Sequence, residues 1–278
     1  MNALELLNIG TKKLERERII SSKIDSELLL SNILKKRRED ILSNLNQKIS
    51  IKDCYKYKKL IKRRQESEPI AYIFEKKEFW SKNFLVSRDT LIRRPETELM
   101  VDYLSKIYNG KKIFILDVGT GSGCIAVTIA KLTNSNVDAM DICDKALKIA
   151  ELNAKINSVN VNFILNDIFD TEKMPNYDVI VSNPPYVQKS DILKMNKNVS
   201  EFEPYRAIFV DDNNPIVFYK KIASLAIKSL NDGGYIFFEI NELYQKEILD
   251  LLTKIGFVDI TLKNDINDKP RMIKACKK

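Results

Sequence analysis

No histidine occurs in the 278 residues of this chain. Imidazole is therefore excluded as a base, nucleophile or metal ligand, and Ser-His-Asp triads are excluded with it. The four cysteines, Cys54, Cys124, Cys143 and Cys276, form no C-x-x-C pair. That spacing supports neither a zinc site nor a disulfide framework, and they are expected to behave as small, reduced, apolar side chains. No metal is expected. No apolar run approaches the ~20 residues needed to span a bilayer. The start, Met1-Asn2-Ala3-Leu4-Glu5, lacks the basic-then-apolar order of a signal peptide. These absences point to a cytoplasmic protein with no membrane partner.

What is present describes a globular protein with a good core and room for two domains: 44% hydrophobic and 30% charged residues. The net charge of +8 is unevenly placed. Residues 1–75 carry 17 basic and 11 acidic side chains, so the remainder of the chain is nearly balanced. Lys35-Lys36-Arg37-Arg38 and the run from Lys56 to Arg64 make up much of the excess. A basic N-terminal module suits an anionic partner such as RNA or a ribosome-associated protein, but a lysine-rich solvated helical surface explains it better. Direct nucleic-acid binding is not required.

Residues 1–69 read as a small helical domain. Leu4, Leu7, Leu14 and Ile19 recur at near-helical spacing, and Asp25 is expected to cap a helix running through Ile33. Residues 70–92 read as a β-hairpin linker, with Phe79-Trp80 and Phe84-Leu85-Val86 flanking Ser81-Lys82-Asn83. Residues 93–278 read as a second domain in which strands and helices alternate from 111 onward, which calls for a mainly parallel sheet with helices on both faces.

Two stretches in this second part carry chemistry. The strand Ile113–Asp117 leads into Val118-Gly119-Thr120-Gly121-Ser122-Gly123 and then a helix from about Cys124. Glycines let the backbone approach a ligand where a Cβ would collide. G-x-G-x-G differs from the dinucleotide fingerprint by one residue and lacks a P-loop ending, so a nucleoside without phosphates fits better than a pyrophosphate. Asp141 ends the next strand and suits the ribose hydroxyls. Asp144 is the expected cap of the following helix, which leaves Asp141 free. Asp167 and Ile168 end the third strand, where they suit the amine and the ring of a base.

The other stretch is Asn183-Pro184-Pro185-Tyr186, directly after Val179-Ile180-Val181-Ser182. Two prolines halt the strand because neither has an N–H to donate to a ladder. The stiff corner presents the Asn183 amide and the Pro184 carbonyl at a strand's C-terminal end, where open α/β sheets bind ligands. Two acceptors there match an –NH2 group. Residues 187–213 are expected as a long polar connection that covers substrate.

Together, the loop Asp117–Gly123, Asp141 and Asn183–Tyr186 resemble a class I S-adenosylmethionine-dependent methyltransferase of the branch acting on planar nitrogens. Arg94-Pro95-Glu96-Thr97-Glu98, Phe202-Glu203-Pro204 and Gly233-Gly234 through Glu239-Ile240 narrow this to a resemblance with the PrmC/HemK family. Its members are the N5-glutamine methyltransferases of peptide chain release factors. Arg93 stands where that family usually has proline, and Asn241 where it usually has glycine.

The resemblance implies a Rossmann-like, mainly parallel seven-stranded sheet. It implies S-adenosyl-L-methionine as cofactor and S-adenosyl-L-homocysteine as product. Class I release factors, modified on the glutamine of a Gly-Gly-Gln loop, are the implied partners. Carried onto this chain, Gly119, Thr120, Gly121, Ser122, Gly123, Asp141, Asp167, Ile168 and Asn183 hold the cofactor. Asn183, Pro184, Pro185 and Tyr186 hold the substrate, with Asn183 and Pro184 accepting from its amide and Tyr186 packing on it. Two rivals remain: an adenine-N6 DNA or RNA methyltransferase using the same clamp on a flipped base, and a non-catalytic binding protein on this scaffold. The near-neutral second part disfavours the first, and the intact glycine loop, Asp141 and Asn183 disfavour the second.

Overall fold

The computed structural model describes residues 1–278. They divide into two compact units, Met1–Glu75 with Asn196–Phe202, and Lys76–Met195 with Glu203–Lys278. No helix is long and apolar enough to cross a membrane.

In the first unit the helices Ala3–Arg16, Ser22–Leu34, Arg38–Leu42 and Ile51–Gln65 precede a short Ile70–Phe74 helix. Leu6, Leu14, Leu29, Leu30, Ile41 and Ile61 form their shared core. A capping box opens the first helix: Asn2 Oδ1 accepts from the Glu5 N–H, and Glu5 accepts from the Asn2 N–H. Gly10, in the middle of that helix, permits a close crossing. A Cβ there would lie 2.0 Å from the Tyr57 hydroxyl and 2.7 Å from Ser26 Oγ.

Asp25 is not the expected cap, because its helix already begins at Ser22. It is buried, and its Oδ2 accepts from Arg64 Nε at 2.7 Å and from Ser21 Oγ at 2.7 Å. Arg64 Nη1 donates onward to the Glu68 carbonyl at 3.2 Å.

The second unit opens with a hairpin, β1 (Lys76–Phe79) and β2 (Lys82–Leu85). Its turn is Trp80-Ser81, not the three residues expected, and both adopt positive φ, 50° and 53°. That is the mirror-image turn that matches strand twist, built here without glycine or asparagine. Phe79 and Phe84 meet edge to face at 6.0 Å and join the core of this unit. The hairpin strands therefore belong to the second unit, which begins at Lys76.

Next come β3 (Phe114–Val118), β4 (Asn136–Asp141), β5 (Asn162–Leu165) and β6 (Tyr177–Ser182). The long polar connection after β6 holds two short strands, β7 (Val187–Gln188) and β8 (Phe209–Val210), paired in parallel. It also holds a 3-10 segment, Lys189–Lys194, and the helix Lys197–Ser200. The chain closes through β9 (Leu230–Glu239), β10 (Phe257–Asn264) and β11 (Pro270–Lys277).

Seven of these strands form one sheet in the order β10-β11-β9-β6-β3-β4-β5. Only β11 runs against its neighbours. Gly233-Gly234 does not precede β9 as a turn. It lies inside the strand as a bulge, where pairing jumps from Tyr177↔Leu230 to Val179↔Tyr235. A Cβ on Gly234 would stand 2.8 Å from the Asn231 carbonyl and 2.9 Å from that of Asp178, so the bulge requires glycine.

Candidate active site

From β3 the chain winds outward through β4 to β5, then returns to the other side of β3 as β6. The switch point thus lies between β3 and β6, and loops diverging there leave a crevice at the strands' C-terminal ends. A cavity of about 970 Å³ occupies it. Gly119 and Gly121, Asp141, Asp167 and Ile168, and Asn183, Pro184 and Pro185 all line this cavity. Four strand ends separated by up to 66 positions of sequence, from Gly119 to Pro185, are thereby brought together.

The other expected residues lie elsewhere. Thr120, Ser122, Gly123 and Tyr186 are not among the cavity's walls. Thr120 is fully buried, and its hydroxyl donates to Asp117 Oδ2 at 2.7 Å. Ser122 is buried, and its carbonyl accepts from Asn153 Nδ2 at 2.8 Å. Gly123 has φ +77°, and a Cβ on it would approach Ala150 Cβ to 2.8 Å, so it serves close packing of the helices Cys124–Thr133 and Asp144–Asn157. Tyr186 packs against the hydrophobic core and donates to Glu239 Oε1 at 3.4 Å. Burial, then nearby Glu239, pushes its phenol well up from the ordinary value, so it stays neutral.

The glycine loop's own hydrogen bonds say what it can bind. The N–H groups of Gly119 and Thr120 both donate to the Met140 carbonyl, at 2.9 and 3.0 Å. That of Gly121 donates to Asp141 Oδ2 at 2.8 Å, and that of Gly123 to the Thr120 carbonyl at 3.0 Å. With these four donors spent inside the protein, the loop is a poor phosphate cradle. Gly119 instead offers shape. At φ +75° a Cβ there would meet nothing within 4 Å, which leaves the backbone bare to the cavity. An uncharged nucleoside fits such a wall.

Asp141 is not left free in the sense expected. Its Oδ1 accepts from the Cys143 N–H at 2.9 Å while Oδ2 holds Gly121. It is Asp141, three residues ahead of the helix Asp144–Asn157, that meets this backbone donor. Asp144 sits within the helix and pairs with Lys148 at 2.6 Å. A carboxylate has about four lone-pair sites, so Asp141 fixed in this way still has two to offer a ribose diol. Asp167 accepts from the Phe169 N–H at 2.8 Å, which holds the turn after β5 and sets Ile168 against the cavity.

The corner Asn183-Pro184 is anchored from behind. Ser182 Oγ donates to the Val118 carbonyl at 2.7 Å, tying the end of β6 to the end of β3 just before the glycine loop. Asn183 is 8% exposed and Pro184 is buried, both on the cavity wall. Both residues of the corner thus border a pocket large enough for a nucleoside.

Several contributors were given no role from the sequence. Asn153 is fully buried and joins three elements: it accepts from the Leu85 N–H at 2.7 Å and donates to the carbonyls of Leu85 and Ser122. Glu203 accepts from the Ile92 N–H at 3.0 Å and from Arg94 Nη2 at 2.7 Å, clamping the Arg-Pro-Glu-Thr-Glu strap. Glu239 is buried, accepts from Thr97 Oγ1 at 2.7 Å, and burial raises its carboxyl above the ordinary value. Arg93, buried and on the cavity wall, donates through Nη2 to the carbonyls of Gly119 and Thr120 at 3.1 and 3.2 Å. The only signal for Arg93 was its departure from the resembled pattern. No cluster of three or more potential metal ligands occurs.

Comparison with known proteins gives concordant matches. Residues 92–200 match the methyltransferase small domain family, and residues 5–74 match the PrmC N-terminal domain family. The release factor glutamine methyltransferase of Flavobacterium psychrophilum is 42% identical over 245 residues, covering 86% of each chain. That of Buchnera aphidicola subsp. Acyrthosiphon pisum is 38% identical over 98% of this chain and 97% of its own. Among solved structures, a methyltransferase from Pyrococcus furiosus aligns with TM-score 0.55 over 72% of this chain and 90% of its own. At 18% identity that likeness bears on fold alone, and it agrees with a Rossmann-like methyltransferase sheet.

Proposed function

The chain belongs to the release factor glutamine methyltransferase family, and from that premise we propose that it methylates the side-chain amide nitrogen, N5, of a glutamine. The glutamine is that of the Gly-Gly-Gln loop in class I peptide chain release factors. S-adenosyl-L-methionine is the donor, S-adenosyl-L-homocysteine the product, and the reaction supports translation termination in the cytoplasm. One observation carries the reading. The bare glycine wall, Asp141, Ile168 and the Asn183-Pro184 corner share one cavity at the sheet's switch point.

Gly119, Gly121, Asp141, Asp167, Ile168 and Asn183 would hold the donor, whose sulfonium supplies an electrophilic methyl group. Everything else falls to the chain's own groups. A glutamine nitrogen is a poor nucleophile because its lone pair is delocalised into the carbonyl, so alignment is the main catalytic contribution. Well-oriented partners gain up to ~7–11 kcal/mol in favourable cases.

Asn183 Oδ1 and the Pro184 carbonyl accept the two amide hydrogens and turn the lone pair towards the methyl carbon. Positive charge grows on that nitrogen during transfer, so both acceptors bind more strongly in the transition state than in the ground state. No strong base is needed, since the proton can leave after transfer. Tyr186, neutral and held by Glu239, braces the corner from the core side.

Incubation with methyl-labelled S-adenosyl-L-methionine and a class I release factor tests this. Label is expected in the release factor. Label confined to added DNA or RNA would replace the reading with the adenine-N6 rival.

A further inference from the structure

The helical unit presents one strongly charged face. In the helix Ile51–Gln65, Lys52, Lys56, Lys58, Lys59 and Lys62 are exposed, with Tyr55 among them. At 3.6 residues per turn these six fall within an arc of about 160°, with Tyr55 and Lys59 near its middle. No acid shares the arc. Asp53, the one acid of the helix, lies outside it and pairs with Lys56 at 3.8 Å. The two arginines of the helix are used internally: Arg63 holds Glu68 and Arg64 holds Asp25, each at 2.7 Å. The charge left to solvent is therefore all lysine. Tyr55 is 60% exposed, and Lys59 Nζ stands 4.6 Å from the centre of its ring. A flat aromatic surface and a cation are thus held side by side.

A solvated surface usually mixes both signs. Here like charges recur three or four positions apart, as in Lys52–Lys56, Lys56–Lys59 and Lys58–Lys62, and such pairs destabilise a helix. A polyanion laid along the face relieves that repulsion. The residue types select which one. Lysine is depleted at protein–protein interfaces, where arginine is enriched, but as a compact point charge it suits phosphate. An exposed ring amid the lysines can stack on a base, and only a single strand offers a base with a free face. A membrane surface would need a broad apolar face to bury, and besides Tyr55 only Ile51 of this helix is both apolar and exposed.

We propose that this face of the helix Ile51–Gln65 binds single-stranded RNA, with the lysines on its phosphates and Tyr55 stacked on a base. None of these residues lines the cavity of the sheet unit, and the face binds without reacting. The choice of RNA over DNA rests on the function proposed above, a reaction on a translation factor; the assignment of a polyphosphate strand does not.

Fluorescence anisotropy of the full chain with a labelled oligouridylate of about 12 nucleotides tests this, without methyl donor and between about 50 and 200 mM salt. The expected dissociation constant is about 10⁻⁴–10⁻⁶ M at physiological salt, with a log–log salt slope of about −0.7 for each phosphate neutralised. Lys52→Ala, Lys59→Ala and Lys62→Ala combined should make that slope shallower by about 2. Tyr55→Ala should weaken binding about fivefold or more and leave the slope unchanged. All four positions are exposed and alanine favours a helix, so the variants should fold as the parent does. No binding at the lowest salt, or a slope untouched by the triple substitution, overturns the proposal. Tighter binding of an oligodeoxythymidylate of the same length overturns the choice of RNA. A raised KM for a release factor in the triple variant, with no RNA bound by the parent, assigns the face to an acidic protein instead. A parent chain that binds the RNA but transfers no methyl group would overturn the methyltransferase reading and leave this face standing.

Discussion

Each unit buries an arginine and an aspartate in the same neighbourhood, and the two pairs are built differently. In the helical unit, Arg64 and Asp25 bond directly at 2.7 Å, with Ser21 and the Glu68 carbonyl taking up further valences. In the sheet unit, Arg93 and Asp117 each bond to the glycine loop yet keep atoms without a partner. A direct, supported pair leaves nothing for a ligand and can only hold helices together. In the second pair only Arg93 reaches the cavity wall, and both members hold the glycine loop that forms part of that wall. Substitution should therefore cost folding in the first case and binding or turnover in the second.

On activity, the largest effect should fall on the Asn183 corner of the cavity. Asn183→Ala is expected to lower methyl transfer by about 10²–10³-fold, as for removal of one transition-state hydrogen-bonding group. Its unfolding midpoint should stay near the parent's, and single-turnover kinetics beside thermal unfolding would check both. The opposite pattern, a folding defect with normal turnover per folded molecule, would break the distinction.

Arg64→Met should behave inversely. Breaking a buried pair by removing one partner costs about 3–5 kcal/mol, read by urea denaturation, while cofactor affinity of the folded fraction stays unchanged.

Next comes Asp117, whose carboxyl burial lifts to about 6. The unfolded chain releases this proton near the ordinary value of about 3.9, so between there and about 6 the folded chain holds more protons. The Asp117 contribution therefore makes stability fall as pH rises through that window, by roughly 2–3 kcal/mol, and then level off. Asp117→Asn should flatten this part of a pH–stability profile. A profile unchanged by the substitution would show that Asp117 ionises normally.

The smallest effect belongs to Tyr186→Phe. A single long bond to Glu239 contributes about 1 kcal/mol or less, so turnover should fall only a few-fold.

The parallel sheet was legible because apolar runs alternate with helical patterns from residue 113 onward, and the stop at Asn183 because proline chemistry is local. Other features depend on partners that sequence spacing does not reveal. Glu203 meets Ile92 across 111 positions, and Arg93 meets Gly119 across 26. Asp141 and Asp144 both sit where a cap could lie, and only side-chain direction assigns the backbone bond to Asp141 and the lysine pair to Asp144. The Trp80-Ser81 turn carries none of the residues that usually mark positive φ, and the Gly233-Gly234 bulge looks in sequence like an ordinary turn. Within the glycine loop, the pattern named five residues, but packing sent Thr120, Ser122 and Gly123 inward and left Gly119 and Gly121 on the cavity.

The most direct measurement is a crystal structure of the chain with S-adenosyl-L-homocysteine and a Gly-Gly-Gln peptide. The expected result is the glutamine –NH2 within about 3 Å of both Asn183 Oδ1 and the Pro184 carbonyl, its nitrogen facing the cofactor sulfur. A glutamine amide bound through other groups, with those two oxygens pointing elsewhere, would contradict it.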